Sequence, residues 1–292
     1  MTSALRPLSR APLITLLHLW LLAASLVATH QVAVAWIHNG IGVGLVCALV
    51  WGGAWVCLED QLPVAGPQPS WTSLALGGTL LALGLWRTFE VFHPDAVVYG
   101  LPLLSGPALA LLYVPLRQLR PFRDALLVLM LMPATLLASR VMPVEALSHL
   151  TARLTQGVLL LTGDVARVDG SEVWLSGGGV RIAGSCSGTD MLLQVTSIAI
   201  IFVLAFPLRS VRTRLLMMLV VAPLAAIVAN AVRIALLTVI VASDWSNKKW
   251  WFDFLHEAEG SLVFAALTVS GFSWLYMRRL ERELKAVEAQ RG

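Results

Sequence analysis

Cys186 is the residue best suited to chemistry, because it lies in a Gly-Ser-Cys-Ser-Gly sequence at residues 184–188, just before a long apolar segment. Glycines allow other backbone to approach closely, and serines add hydrogen-bonding groups. If the apolar segment is a helix, its N-terminal end favours the nucleophilic thiolate form of cysteine. We therefore predict a nucleophile at Cys186, with Ser187, Gly188 and Asp190 in supporting positions, although a plain turn before a helix has the same composition.

Arg233 is a second candidate, since it lies inside another apolar segment. It is about nine residues before the predicted outer end, or roughly 13 Å deep at the rise of an α-helix. An arginine at the centre of a bilayer costs on the order of 3 kcal/mol, so the guanidinium is expected to face the protein interior or a wet cavity. Asn230, one turn earlier, lies on nearly the same helical face. Snorkelling or a structural ion pair is the alternative for Arg233.

His256 is predicted to open the last apolar segment on the same side of the membrane. Gly260 follows one turn later and lets another helix or a substrate backbone approach the histidine face. The aromatic residues that precede the histidine are typical of a membrane interface. They are Trp245, Trp250, Trp251, Phe252 and Phe254. A lone interfacial histidine usually has no catalytic role, so the prediction for His256 depends on its neighbours.

Together, Cys186, His256 and Arg233 are sufficient for acyl transfer. A thiolate attacks a carbonyl carbon, an imidazole moves the proton to the leaving amine, and a cation stabilises the negative charge on the oxygen. The sequence contains no phosphate loop, dinucleotide fingerprint, paired redox thiol or zinc-spaced Cys/His set, so it predicts no cofactor and no metal. The other two cysteines, Cys47 and Cys57, lie inside an apolar segment and are predicted to be packing residues.

The elements that must position these residues are predicted to be membrane helices. Of the 292 residues, 58% are hydrophobic and 13% are charged, which is too apolar for a water-soluble fold. A bilayer is spanned by about 20 apolar residues, and about eight segments of that kind occur. They lie at approximately 13–36, 41–58, 72–86, 95–114, 124–142, 189–208, 215–242 and 260–277. The net charge of +4 is distributed in short clusters between these segments, so nucleic acid is not a predicted partner.

The basic clusters also predict orientation, because Arg and Lys are retained on the cytoplasmic side. If the chain crosses the membrane eight times from a cytoplasmic N-terminus, four basic clusters lie on the cytoplasmic side. They are Arg6/Arg10, Arg117/Arg120/Arg123, Arg209/Arg212/Arg214 and Arg278/Arg279/Arg282. The two chain ends are then cytoplasmic, and the three candidate residues share the outer leaflet. Arg87, Lys248 and Lys249 are exceptions, because this threading places them outside.

The loop before the sixth span is predicted to fold on the outer face. Apolar residues at helical spacing indicate an amphipathic interfacial helix. They are Leu147, Leu150, Leu154, Val158 and Leu161. Two short hairpin connections follow, through Asp169-Gly170 and the glycine turn at 177–179. The predicted organisation is helices 1–5 at 1–143, the outer helix and β-hairpin at 144–188, helices 6–8 at 189–277 and a cytoplasmic tail at 278–292.

Three motifs in combination resemble the exosortase/archaeosortase family, mainly over residues 180–265: Cys-Ser-Gly at a helix start, Asn-x-x-Arg in a later span, and His with a downstream Gly. The Gly-Ser-Cys-Ser-Gly and His-Glu-x-Glu-Gly forms look like those of the cyanobacterial branch, the cyanoexosortases. The commonest family pattern has an acidic residue and alanine before the cysteine, and an aliphatic residue and arginine after the glycine. Here Gly184-Ser185 precede and Thr189-Asp190 follow, a departure that bears on the recognised substrate motif and leaves the nucleophile unchanged.

The predicted fold is an all-α polytopic integral membrane protein with a small periplasmic helix-plus-β-hairpin element before the sixth helix. The resemblance implies a cysteine transpeptidase of the bacterial inner membrane, with Cys186, Arg233 and His256 as a catalytic set that faces the periplasm. The implied partners are the lipid bilayer, an envelope acceptor and secreted protein substrates. Such substrates end in a sorting signal that comprises a short motif such as Pro-Glu-Pro, a transmembrane helix and a basic tail.

Two other functions remain open from the sequence. In a transporter or channel, Arg233 and Asn230 would line a pathway and Cys186 would be incidental, but the paired broken helices typical of transporters are not evident. A non-catalytic polysaccharide-export assembly factor could use the same fold, although a scaffold has no need of a thiol. An intramembrane serine or zinc protease is disfavoured, because the sequence has neither Gly-x-Ser-x-Gly nor His-Glu-x-x-His.

Overall fold

The computed structural model describes residues 10–59, 61–62, 66–91 and 95–291. The chain divides into two compact units, Met1–Pro133 and Ala134–Gly292. The helices of the first unit are α1 (Arg10–Glu59), α2 (Trp71–Thr88), α3 (Val97–Leu111), α4 (Arg123–Leu129) and the beginning of α5 (Leu131–Val141). Within this unit, α2 packs on α3, and α1 packs on α3 and α4.

Helix α1 is in fact two helices that fold back on each other at Gly40. Gly40 has a φ of 84°, a conformation that glycine adopts without steric cost. The indole Nε1 of Trp51 donates to Gln31 Oε1 at 3.2 Å. In a straight helix, residues that far apart in the chain would be separated by about 30 Å. The two halves therefore correspond to the predicted segments 13–36 and 41–58.

The second unit combines helices with one small sheet. Its elements after α5 are α6 (Val144–Leu161), β1 (Arg167–Asp169), β2 (Glu172–Leu175), β3 (Gly178–Arg181), a 3₁₀ turn (Gly184–Ser187), α7 (Thr189–Ala205), α8 (Val211–Leu216), α9 (Ala222–Ala242), α10 (Lys248–His256) and α11 (Ala258–Arg291). Antiparallel strands in the order β1-β2-β3 form the sheet, in agreement with the predicted hairpin element. One face of the sheet is apolar, and its Val173 and Val180 pack into a core with α6 and α9.

The buried face of α6 differs from the predicted apolar stripe. Leu147 is buried, but Leu150 and Leu161 are exposed. Thr151 and Thr155, one turn apart, are instead fully covered. These two threonines face inward because their hydroxyl groups donate to carbonyl groups of other elements: Thr151 to Ser187 O in the 3₁₀ turn, and Thr155 to Ala231 O in α9.

Four helical stretches are long and apolar enough to cross a membrane, among the residues that the structure describes. They are Leu16–Glu59, Arg120–Val141, Val211–Ala242 and Gly260–Gln290. Val97–Leu111 and Thr189–Ala205 are shorter apolar helices. The chain is thus a mostly helical, multi-pass membrane protein, and the number of eight crossings stays a prediction.

The structure corrects the predicted position of His256. The sequence pattern predicts this histidine at the start of the last span, whereas it is the last residue of the separate helix α10. Glu257 adopts an extended conformation, and α11 begins at Ala258. A Cβ at Gly260 would collide with the backbone of Phe254 and Leu255, so this glycine permits the tight junction between α10 and α11.

Candidate active site

The segment that contains Cys186 connects the sheet to α7 through a compact turn. Ala183 is extended, residues 184–187 form the 3₁₀ turn, and Gly188 adopts a left-handed conformation with a φ of 93°. Cys186 N–H donates to Ala183 O at 3.1 Å. The thiol is therefore held at the N-terminal end of α7, as the sequence predicts, and Cys186 is only 2% exposed.

His256 reaches Cys186 from α10. Its Nδ1 lies 3.3 Å from Cys186 Sγ, which is within hydrogen-bonding distance for sulfur. The imidazole stacks on Phe252, with ring centroids 5.2 Å apart and an angle of 15° between the planes. His256 is exposed although the thiol is buried. The imidazole thus lies where a group entering from the surface would meet it first.

Arg233 supplies a positive charge at the same point. It is the largest fully buried side chain among the described residues, with 1% exposure. Its guanidinium makes a side-chain hydrogen bond with Cys186 and interacts electrostatically with Asp190, which lies in the first turn of α7. Nε and Nη2 of Arg233 have no hydrogen-bond partner within the described part of the chain. The site therefore contains buried donors that are not used by the fold.

Asn230 and Gly188 determine how the turn that contains Cys186 is held. Asn230 Nδ2 donates to Cys186 O at 3.1 Å. A Cβ at Gly188 would lie 2.6 Å from Asn230 Nδ2, so a larger residue would push the amide away. The positive φ disfavours a side chain at the same position. Gly188 is thus required both for the turn and for the close approach of α9.

Thr151 is a site residue that the sequence analysis missed. Its Oγ1 donates to Ser187 O at 3.0 Å, so α6 holds the carbonyl group of Ser187. Asn230 holds the carbonyl group of the preceding residue, Cys186. The Ser187 hydroxyl in turn bonds Thr189 Oγ1 at 2.9 Å. The available signal was the pair of threonines at helical spacing within α6, which the predicted leucine stripe obscured.

Most of the predicted site residues come together in the structure. Cys186, Arg233, His256, Asn230, Ser187 and Gly188 form one cluster in the second unit, as the contacts above show. Asp190 is exposed and interacts with Arg233 only electrostatically. Gly260 packs against the backbone of α10. The described residues include no group of three or more His, Cys, Asp and Glu side chains able to hold a metal ion.

The cluster has the components of nucleophilic acyl transfer. A thiol within hydrogen-bonding distance of an imidazole can pass its proton to that ring and become nucleophilic. A guanidinium beside the sulfur can stabilise negative charge on an adjacent oxygen.

Comparison with known proteins identifies a family for this chain. A family model described as transmembrane exosortase matches residues 32–272, which is most of the chain. No curated protein and no solved structure matches the chain in the other two comparisons.

Proposed function

The chain belongs to the transmembrane exosortase family, and we propose that it is a cysteine transpeptidase that cleaves the C-terminal sorting signal of secreted proteins. The signal would be of the Pro-Glu-Pro type, followed by a membrane span and a basic tail. The cleaved protein would pass through a thioacyl intermediate on Cys186 to an envelope or extracellular acceptor. The observation that carries the proposal is the 3.3 Å contact between Cys186 Sγ and His256 Nδ1.

In the first step, the sulfur of Cys186 attacks the scissile carbonyl carbon, after its proton has moved to His256. Negative charge then develops on the carbonyl oxygen. The Nε and Nη2 donors of Arg233 are suited to this charge, because they are buried and have no hydrogen-bond partner in the described chain. No rearrangement of an existing hydrogen bond is needed to free them.

In the second step, the carbon–nitrogen bond breaks and His256 returns the proton to the leaving amine. The membrane-anchored tail of the substrate is released, and the remainder stays bound to Cys186 as a thioester. Water or an amine or hydroxyl of an acceptor then attacks the thioester carbonyl. This attack transfers the acyl group and regenerates the thiol.

The proposed location is the bacterial inner membrane, with both chain ends in the cytoplasm and the active site facing the periplasm. The distribution of Arg clusters supports this orientation. A C-terminal sorting signal is accessible to such a site only after the substrate has crossed the membrane, which is consistent with a secreted substrate.

The test is processing of a secreted reporter that ends in a Pro-Glu-Pro motif, a membrane span and an Arg-rich tail. We expect wild-type protein to shorten the reporter on an immunoblot, whereas Cys186→Ala and Cys186→Ser leave it at full length, because a hydroxyl lacks thiolate character. Cys47→Ala is the matched control, since Cys47 is also buried but lies in the first unit. Normal shortening by Cys186→Ala would exclude the covalent mechanism.

A further inference from the structure

Strand β3 is an edge strand that leads directly to the nucleophile. The sheet order is β1-β2-β3, so among the described residues β3 has a neighbouring strand on one side only. It ends at Arg181, and an extended residue, Ala183, connects it to the turn that contains Cys186. Even a fully extended chain places Arg181 no more than about 17 Å from Cys186.

The register identifies the backbone groups that this edge presents. Ile182 N–H donates to Ser171 O at 2.9 Å. In an antiparallel pair, hydrogen-bonded and non-hydrogen-bonded positions alternate along the strand. Val180 and Ile182 therefore direct their N–H and C=O groups toward β2, whereas Gly179 and Arg181 direct theirs to the opposite side.

No part of the described chain pairs with these outward groups. The hydrogen bonds that turns, loops and caps make among the described residues include none from the backbone of Gly179 or Arg181. Helix α9 covers one face of β3, since Gly178 would meet Val241 Cγ1 at 3.0 Å if it carried a Cβ, and Val180 is buried on the same face. Arg181 is exposed.

A groove between α9 and α10, close to β3, adds a place for side chains. Its volume is about 260 Å³, and it is lined by Ile240, Val241, Lys248, Lys249 and Phe252. Val241 connects it to Gly178 of β3, and Phe252 connects it to the imidazole of His256, on which it stacks. The groove therefore lies close both to β3 and to the candidate base.

We propose that the outer edge of β3 binds an extended segment of the polypeptide substrate as an added strand. The backbone of Gly179 and Arg181 would exchange hydrogen bonds with this segment, and the groove would accept one of its side chains. Main-chain pairing of this kind gives affinity with little dependence on sequence, while an adjacent pocket gives selectivity. An extended peptide is the occupant that the edge favours, because continuation of the edge leads to Cys186. The proposal rests on the proposed function.

The test compares Arg181→Pro with Arg181→Ala in the full-length protein. Proline removes an N–H that β2 does not use, so an edge strand tolerates it, but the substrate loses its partner. We expect Arg181→Pro to lower kcat/KM for reporter processing about fivefold relative to Arg181→Ala, which keeps the N–H, since each backbone hydrogen bond contributes about 1 kcal/mol. Alkylation of Cys186 by iodoacetamide should proceed at the wild-type rate in both variants, because that small reagent does not use the edge.

Equal processing by Arg181→Pro and Arg181→Ala would overturn the added strand. A second measurement applies even if the proline variant fails to fold: wild-type protein is given synthetic substrates in which single amides upstream of the cleavage point are replaced by esters. We expect sensitivity at alternate positions, because every second residue of a strand faces the same neighbour. Sensitivity at no position would overturn the proposal, whereas failure to process the parent substrate at all would sink the proposed function itself.

Discussion

Each unit buries a large polar side chain among apolar helices: Gln31 in the first unit and Arg233 in the second. Gln31 is fully engaged, since Nε2 donates to Leu101 O and Ser105 Oγ and Oε1 accepts from Trp51. Arg233 interacts with Cys186 and Asp190, but its Nε and Nη2 have no partner in the described chain.

This difference distinguishes a structural polar group from one that is available to a ligand. A buried donor without a partner costs about 1 to 3 kcal/mol, and more when it is charged. The Gln31 amide does not carry this cost, because its Nε2 and Oε1 atoms have hydrogen-bond partners. The cost at Arg233 is consistent with a group that is completed only when a substrate oxygen arrives. We therefore expect mutations at Gln31 to affect stability and mutations at Arg233 to affect turnover.

The largest expected effect is that of Arg233→Lys. Lysine keeps the charge but loses the planar, multidentate donor set, so turnover should fall by about 10²-fold or more while the substrate is still captured. Processing rates and co-purification of the reporter would be measured together, after thermal unfolding has shown that the variant is folded. Arg212→Lys is the matched control, because Arg212 is exposed.

Two outcomes at Arg233 separate its possible roles. Slow processing with retained capture supports stabilisation of the oxyanion. Loss of capture with a normal rate for the substrate that still binds would mean that the guanidinium anchors the substrate, and the oxyanion role would be wrong.

A smaller effect is expected for Thr151→Val, which removes the donor to Ser187 O without changing the shape of the side chain. Loss of one hydrogen bond of about 1 kcal/mol should lower kcat about fivefold with little change in KM, since Thr151 is fully buried and holds the turn that contains Cys186. Thr151→Ser should restore the rate.

Thr155→Val is the control for this prediction, because Thr155 lies one turn further along α6 and donates to Ala231 O instead. Equal losses in the two valine variants would show that Thr151 has only a structural role in α6.

The smallest effect on turnover is expected for Gln31→Leu. This change leaves Ser105, Leu101 O and the Trp51 indole without their partner, so the free energy of unfolding should decrease by about 1 to 3 kcal/mol. Turnover per folded molecule should remain within about twofold of wild type. Thermal unfolding in detergent and reporter processing would be compared on the same preparation, and a large loss of turnover in fully folded protein would invalidate the contrast between the two units.

The sequence by itself determined the membrane character, the mostly helical class and the small sheet, because apolar run length and glycine turns are local properties. The same holds for Cys186, since the glycines and serines around it specify a turn between an extended strand and a helix. The role of the cluster as a catalytic set stays a prediction.

Only the tertiary structure decided which groups meet. The partners of the site are distant in sequence: Thr151 and Ser187 are 36 residues apart, Asn230 and Cys186 are 44 apart, and Cys186 and His256 are 70 apart. Local spacing carries no information about such pairs, because helix packing determines them. Helix packing placed His256 at the end of α10 and turned Thr151 and Thr155 of α6 inward. It also left the Nε and Nη2 donors of Arg233 without a partner in the described chain.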